Sequence, residues 1–256
     1  MLDILYRDDV MVAIDKPSGL LVHRTALDRH ETEFAVQRLR DQIGRRVWPV
    51  HRLDRGTSGV LLFALDADSA HALAQQFARH LPQKRYLAVV RGHPPEHGEI
   101  DHALRRVDES LDPRSAREGV EAVTAQPALT RYRRLALAEE PVATDRYPTS
   151  RYALVEARPL TGRTHQIRRH LKHIAHPVIG DARYGKGVHN RYVAGLCGDT
   201  RLLLACVQLQ ITHPQTGEEK VLACRPGRAF DLLAQRWHWR TAMDDVLDEA
   251  GFRLPA

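Results

Sequence analysis

The stretch His51-Arg52-Leu53-Asp54-Arg55-Gly56-Thr57-Ser58-Gly59 runs directly into Val60-Leu61-Leu62-Phe63-Ala64. One carboxylate stands between two guanidinium side chains, a Gly/Thr/Ser turn follows, and an unbroken apolar run completes the segment. A short apolar run bounded by turn residues reads as a buried strand. Neighbouring Arg charge favours the carboxylate form of the acid, and the mouth of a rigid strand is a common place for a reactive group. Taken alone, Asp54 also fits a structural ion pair or a residue that shapes the turn.

The same reading extends in both directions. Ile4-Leu5-Tyr6 and Val10–Ile14, around Arg7-Asp8-Asp9, predict a hairpin. Lys16-Pro17-Ser18-Gly19 turns the chain, and residues 31–43 read as a helix marked by Phe34, Leu39 and Ile43. Asp66 and Asp68 precede Ala70, Leu73, Ala74 and Phe77, whose i, i+3, i+4, i+7 spacing predicts an amphipathic helix. Strands are expected at Tyr86–Val90, Leu129–Leu137 and Tyr152–Leu160, with a mobile polar loop over 105–128. Ile167, Leu171, Ile174 and Ala175 mark the buried face of a helix that Pro177 ends. Leu202–Thr212 and Lys220–Cys224 form a closing hairpin. Strands outnumber helices without regular alternation, so the fold class is α+β.

Bulk properties narrow the function. The 256-residue chain carries 38 Lys+Arg against 32 Asp+Glu, a net +6 with pI near 9.5. Residues 151–190 alone hold eight Lys/Arg against Glu156 and Asp181, a local +6. Clustered positive charge points to a polyanion such as nucleic acid, the plainer reading being a solvated basic face. No apolar run approaches the roughly 20 residues of a membrane helix. Asp3, Arg7, Asp8 and Asp9 leave no apolar signal-peptide core. Cys197, Cys206 and Cys224 form no CxxC pair, which fits buried free thiols and a cytoplasmic location.

Two more segments carry chemistry. In Lys84-Arg85-Tyr86-Leu87-Ala88-Val89-Val90-Arg91-Gly92, a tyrosine near the start of a strand can stack on a nucleobase or relay a proton. It also fits a half-buried sheet residue. Thr161-Gly162-Arg163-Thr164-His165-Gln166-Ile167-Arg168-Arg169-His170 runs on to His176-Pro177-Val178-Ile179-Gly180-Asp181. Gly162, Arg163 and the helix start suit a phosphate, and a basic amphipathic helix without a specific partner is the alternative. His165, His170, His173 and His176 lie close in sequence, but no H-E-x-x-H spacing accompanies them, and no metal is expected.

In this order, residues 51–64, 84–92 and 161–181 resemble the three motifs of the RluA-type pseudouridine synthases. Arg201-Leu202-Leu203-Leu204-Ala205, with His213-Pro214 after it, is similar to the family's closing strand, with the usual histidine either replaced by Cys206 or displaced. The resemblance covers most of residues 3–226. It implies a mixed, mostly antiparallel sheet with helices on one side and a central RNA-binding cleft across the other. One catalytic domain over 1–256 is expected, with a core at about 3–226, a C-terminal extension at about 227–256 and no S4-type domain.

The implied activity is cofactor-independent isomerisation of uridine to pseudouridine, without a metal, by a monomer. Asp54 would act at the ribose of a flipped-out uridine, attacking C1′ or taking the C2′ proton. Tyr86 would stack on the base and help remove the C5 proton, and Arg168 would hold Asp54 ionised. Arg52 would fill the gap left by the extruded base. Arg55, Arg163, His165, Arg169 and Lys172 are the further RNA contacts. Leu2–Tyr6, Pro17–Arg24 and Thr144–Tyr152 most resemble the branch that modifies uridine 65 of tRNA, making tRNA the expected partner. A ribosomal RNA substrate and a non-catalytic RNA-binding role are the alternatives. The tail, with Trp237, Trp239 and an acidic run at Asp244–Glu249, is open to either helical packing or RNA contact.

Overall fold

The computed structural model describes residues 1–23, 33–105 and 124–252. The chain opens with the expected hairpin, β1 (Asp3–Arg7) against β2 (Met11–Lys16). Asp8 fixes its turn by accepting hydrogen bonds from the backbone N–H groups of Val10 (2.9 Å) and Met11 (2.8 Å). Next come α1 (Ala35–Ile43), the short β3 (Trp48–Pro49) and β4 (Ser58–Ala64). Every residue of β4 is buried, and its large apolar side chains are each worth about 1.5–3 kcal/mol when removed from water. Helix α2 (Ala67–Ala78) starts at Asp66, whose carboxylate accepts from Ser69 N at 2.8 Å, an N-cap of the ordinary kind.

The middle of the chain supplies β5 (Gln83–Arg91), β6 (His97–Asp101), β7 (Leu129–Glu140), β8 (Ser150–Pro159) and α3 (Gln166–His173). Then follow α4 (Gly187–Cys197), β9 (Leu204–Thr212), β10 (Glu219–Ala223), α5 (Arg228–Arg236) and α6 (Arg240–Glu249). The strands form one sheet in the order β1-β2-β4-β9-β5-β8-β7-β6, with β3 beside β4 and β10 beside β9. All pairings between these strands are antiparallel except β4 with β9. That parallel contact joins the two halves of the sheet at Gly59 and Cys206. Gly59 has φ +106°, and a Cβ there would overlap the Cys206 carbonyl, so the glycine that closes the opening motif lets the two backbones meet.

Side chains alternate between two cores. On β5, Tyr86, Ala88 and Val90 enter one core while Leu87 and Val89 enter the other. The first core takes Leu39 of α1, Leu73 of α2 and Leu171 of α3. The second takes Val193 of α4, Phe230 of α5 and Met243 of α6. The expectation of helices on one side is therefore corrected. Both faces of the central strands are apolar, and helices cover both.

Several boundaries differ from the sequence reading. Helix α1 begins at Ala35 rather than near 31, and residues 31 and 32 lie outside the described part. Most of the loop expected at 105–128 also lies outside it, while Leu104 and Gln126 pair across its base. Helix α3 ends at His173. Ile174 caps it and the exposed Ala175 turns left-handed at φ +65°, so Ala175 is not on a buried helix face. The C-terminal tail packs as helices. Trp237 Nε1 donates to Glu140 (2.6 Å) and Trp239 Nε1 to the Leu137 carbonyl (3.0 Å). The three cysteines are free and buried. Among the described residues no helix is long and apolar enough to cross a membrane.

Candidate active site

Asp54 stands at the entrance to β4, after the buried Leu53. Its carbonyl accepts from Thr57 N at 3.0 Å, closing the Gly/Thr turn. The loop is pinned from behind. His51 Nε2 accepts the Leu62 N–H at 3.0 Å, so that nitrogen carries no proton, and the ring stacks on Phe77 with centroids 4.6 Å apart. Burial first, and the Lys84 charge second, push the His51 pKa down to about 3. His51 is therefore a neutral structural residue.

Lys16, in the Lys-Pro-Ser-Gly turn, is fully buried below the same loop. Its Nζ donates to the carbonyls of Pro17 (2.8 Å), Leu20 (2.8 Å) and Arg55 (3.2 Å). Three acceptors match the three donors of an ammonium. They offset the burial that pulls this lysine towards about 7, and the Asp54 charge opposes that burial as well. Arg55 Nε donates to the Gly19 carbonyl at 3.1 Å, so the two turns hold one another.

The cationic partner arrives on α3. Arg168 Nη1 donates to Asp54 Oδ2 at 3.1 Å. The rest of its guanidinium forms a fork on Asp181, Nε to Oδ2 at 2.7 Å and Nη2 to Oδ1 at 3.0 Å. Asp181 is 1% exposed and also accepts the N–H groups of Arg183 and Tyr184, both at 2.9 Å. Burial alone would raise the Asp181 pKa, but the Arg168 bonds and charge bring it below the ordinary value. Burial alone would lower the Arg168 pKa, and Asp181 and then Asp54 raise it above that of a free arginine. Planar, bidentate contact to one carboxylate with a nitrogen left for a second is a task for Arg, not Lys.

Gln166 sets the turn that launches α3. Its Oε1 accepts from Thr161 Oγ1 (2.7 Å) and Arg163 N (3.0 Å), while Nε2 donates to the Leu129 carbonyl and Thr130 Oγ1 (both 3.0 Å). His165 precedes it with φ +55°, a strained conformation for a non-glycine residue. That conformation places its ring 5.6 Å from Tyr184 and its Nε2 3.9 Å from Asp54 Oδ2.

Asp54 and Arg168 open on a pocket of about 290 Å³. Asp54, Tyr86, Arg168, Arg52, Arg163 and His165 all face it. Arg55, Arg169 and Lys172 do not. Arg169 donates to the Arg105 carbonyl at 2.9 Å, and Lys172 lies 5.8 Å from the Tyr184 ring centre. Tyr86 forms a wall. Burial first, then neighbouring Cys206, push its pKa well above the ordinary tyrosine value, so at neutral pH it is a phenol and a poor base. Cys206 stands opposite Tyr86 on β9, its thiol held up at about 12 mainly by burial.

The four clustered histidines separate. His170 bonds Thr130 Oγ1 and the His102 carbonyl, His173 stacks on His102, and His176 bonds the Arg91 carbonyl. Among the described residues no group of three His, Cys, Asp or Glu side chains is placed to hold a metal ion. The basic stretch 151–190 is also partly neutralised within the fold. Arg151 pairs with Glu139, Arg158 with Glu156 and Lys186 with Asp145. Sequence reasoning assigned no role to Asp181, Lys16 or Gln166. All three sat inside these segments, but each has a partner that only the folded chain brings to it: Arg55 for Lys16, Leu129 and Thr130 for Gln166, and Arg168 for Asp181.

The model of the RNA pseudouridylate synthase family matches residues 10–173. A Yersinia pestis protein named tRNA pseudouridine synthase C is 47% identical over 256 residues, covering 100% of this chain and 98% of its own. A Haemophilus ducreyi protein of the same name is 46% identical over 238 residues, covering 93% and 96%. Among solved structures, human RNA Pseudouridylate Synthase Domain Containing 4 superposes with TM-score 0.66 at 26% identity, covering 92% of this chain and 93% of that one. Human RNA Pseudouridylate Synthase Domain Containing 1 also gives 0.66, at 27% identity over 88% and 83%.

Proposed function

The chain belongs to the RNA pseudouridylate synthase family and is a pseudouridine synthase, and from that premise we propose that its substrate is tRNA and its target uridine 65. The observation that carries the chemistry is the arrangement around Asp54. Its Oδ2 is held at 3.1 Å by Arg168, which is itself clamped on buried Asp181, in the same pocket as Tyr86. The name shared by the two bacterial relatives supports tRNA as substrate.

The target uridine leaves the helical stack and enters the pocket, at a cost of a few kcal/mol that backbone contacts offset. Arg52, at the pocket rim, fills the space it vacates. Asp54 works on the ribose, by attack at C1′ or removal of the C2′ proton, and both routes break the N1–C1′ bond. The freed uracil turns over and bonds through C5, the C5 hydrogen leaves to solvent as a proton and N1 takes one up, while Asp54 is displaced from C1′ or returns the C2′ proton. Tyr86 supplies a flat face that keeps the uracil in the pocket while it turns. As a buried phenol it does not supply a base for the C5 proton. Arg168 fixes the position of the Asp54 oxygen that faces the sugar, and such positioning is worth orders of magnitude in rate.

The test is carbodiimide-dependent primer extension on unmodified tRNA and ribosomal RNA incubated with the purified protein. One new stop reporting position 65 of tRNA supports the full reading. Stops elsewhere in tRNA overturn the position, stops only in ribosomal RNA overturn the substrate, and no stops overturn both.

A further inference from the structure

The pocket is lined by basic groups that the chemistry at Asp54 does not use. Lys84 lies two residues before Tyr86 on β5, and both line the pocket. Its strand neighbour Arg85 turns to the opposite side, where it pairs with Glu156 and Glu249. Lys84 is half-buried, yet among the described residues its ammonium makes no hydrogen bond and no ion pair. Burial lowers its pKa, and no carboxylate opposes that shift. A partly buried cation without a counter-charge is costly, and a bound anion removes the cost.

Two further groups stand beside it. His80, left-handed at φ +58° just after α2, and Arg163, in the turn before α3, line the same pocket. Both cations reach His80 electrostatically: after burial, Arg163 and Lys84 are what hold its pKa down, so each of the two lies close to His80. Arg163 spends only Nε on the Pro127 carbonyl (3.1 Å) among the described residues. The pocket as a whole has four Lys or Arg side chains against a single carboxylate, Asp54, which is already paired with Arg168.

Depth decides which anion fits. Tyr86 is buried, Lys84 half-buried and His80 exposed, so the cationic group runs from beside the wall on which a base would rest out to the surface. An extruded nucleotide enters base first, with its phosphodiester at the rim. We propose that Lys84, with Arg163 and His80, forms a phosphate subsite that seats the phosphodiester flanking the target uridine. The inference rests on the pseudouridine synthase reading and adds to it a contact with the substrate backbone. Charge-assisted contacts of this kind are worth about 10- to 150-fold in affinity.

The experiment uses the full chain and a tRNA-derived hairpin in which the phosphodiester on the 5′ or 3′ side of the target uridine is replaced, one at a time, by a neutral methylphosphonate. KM, single-turnover rate and the salt slope of binding are measured for the wild type and for Lys84→Gln. Product from the unmodified hairpin tests the underlying reading separately. The expected result is a KM about tenfold or more higher at one of the two replacements, a similar rise for Lys84→Gln on the normal hairpin, and no further rise when both changes are combined. The salt slope falls by about one phosphate equivalent in each single change. A wild type indifferent to both replacements overturns the subsite while leaving catalysis intact, and this arm needs no variant to fold. Additive losses, or a Lys84→Gln defect confined to the single-turnover rate, also overturn it and place the cation at the base instead.

Discussion

Replacing Arg168 by Lys keeps the positive charge and removes the fork. In the structure, Arg168 makes three charge-assisted hydrogen bonds to two carboxylates, one to Asp54 and two to Asp181. A lysine ammonium can serve one of those carboxylates at a time. Each such bond is worth roughly 1.5–3 kcal/mol net, so two lost bonds set a ceiling of about 6 kcal/mol. Asp181 keeps its two backbone donors, from Arg183 and Tyr184, and is not orphaned. The expected loss is therefore about 3 kcal/mol, at the lower end for a broken buried pair. Urea unfolding of the two proteins measures it.

Turnover should suffer more than stability. Asp54 is partly open to solvent and owes its orientation to Arg168 Nη1, so an unheld carboxylate samples positions that miss the sugar. A displacement of about 1 Å costs on the order of 100-fold in rate. Single-turnover pseudouridine formation should fall by about that factor, with RNA affinity almost unchanged. A lysine variant that unfolds within ~0.5 kcal/mol of the wild type and turns over within ~3-fold of it would refute the view that the fork positions Asp54.

Other consequences follow from the same geometry. Tyr86→Phe should retain most activity, because the hydroxyl stays protonated, whereas Tyr86→Ala should lose roughly 1–3 kcal/mol of base stacking, seen in KM and rate together. Lys16→Met should lower stability by about 3 kcal/mol by leaving three loop carbonyls without their donor, read by urea unfolding. Asp8→Asn tests the amino-terminal turn through pH. Burial alone would raise the Asp8 pKa, but Tyr6, the backbone N–H groups of Val10 and Met11, and His213 lower it from 3.8 to about 2. A depressed carboxylate stabilises the fold above its unfolded pKa and loses that contribution as pH falls through the folded one. The wild type should exceed Asp8→Asn by about 1–2 kcal/mol at pH 5–7, with the gap shrinking as pH falls from 4 towards 2.

The parts of the fold legible in the sequence were those with local rules. The opening hairpin, the buried β4, the capped amphipathic α2 and the closing β9–β10 hairpin all follow from periodicity and turn residues. Helix α4 was not legible, because Gly187–Cys197 mixes polar and apolar residues and Lys186 offers no side-chain cap. Strand β6 is short and polar, and only its pairing with β7 makes it a strand. The C-terminal helices are specified by a surface they do not contain, since Trp237 and Trp239 find their partners on β7.

The candidate site divides in the same way. Asp54, Tyr86 and Arg168 could be named from their motifs, and the pocket brings them together. Asp181 could not be given a role, because its work is defined by a side chain thirteen residues earlier in a fold not yet formed. The charge count of 151–190 overstated the surface open to RNA, because Arg151 and Lys186 have carboxylate partners outside that stretch. Net charge bounds partners but does not locate them.

The central claim is that Asp54 drives the isomerisation. The measurement that tests it most directly is tritium release from tRNA labelled at C5 of uridine, run with the wild type and with Asp54→Asn at equal tRNA occupancy. Joining C5 to C1′ expels the C5 hydrogen, so release counts turnovers. The account predicts release by the wild type, in proportion to pseudouridine formed, and none by Asp54→Asn despite retained binding. Release by a clean Asp54→Asn preparation at a rate near that of the wild type would contradict it.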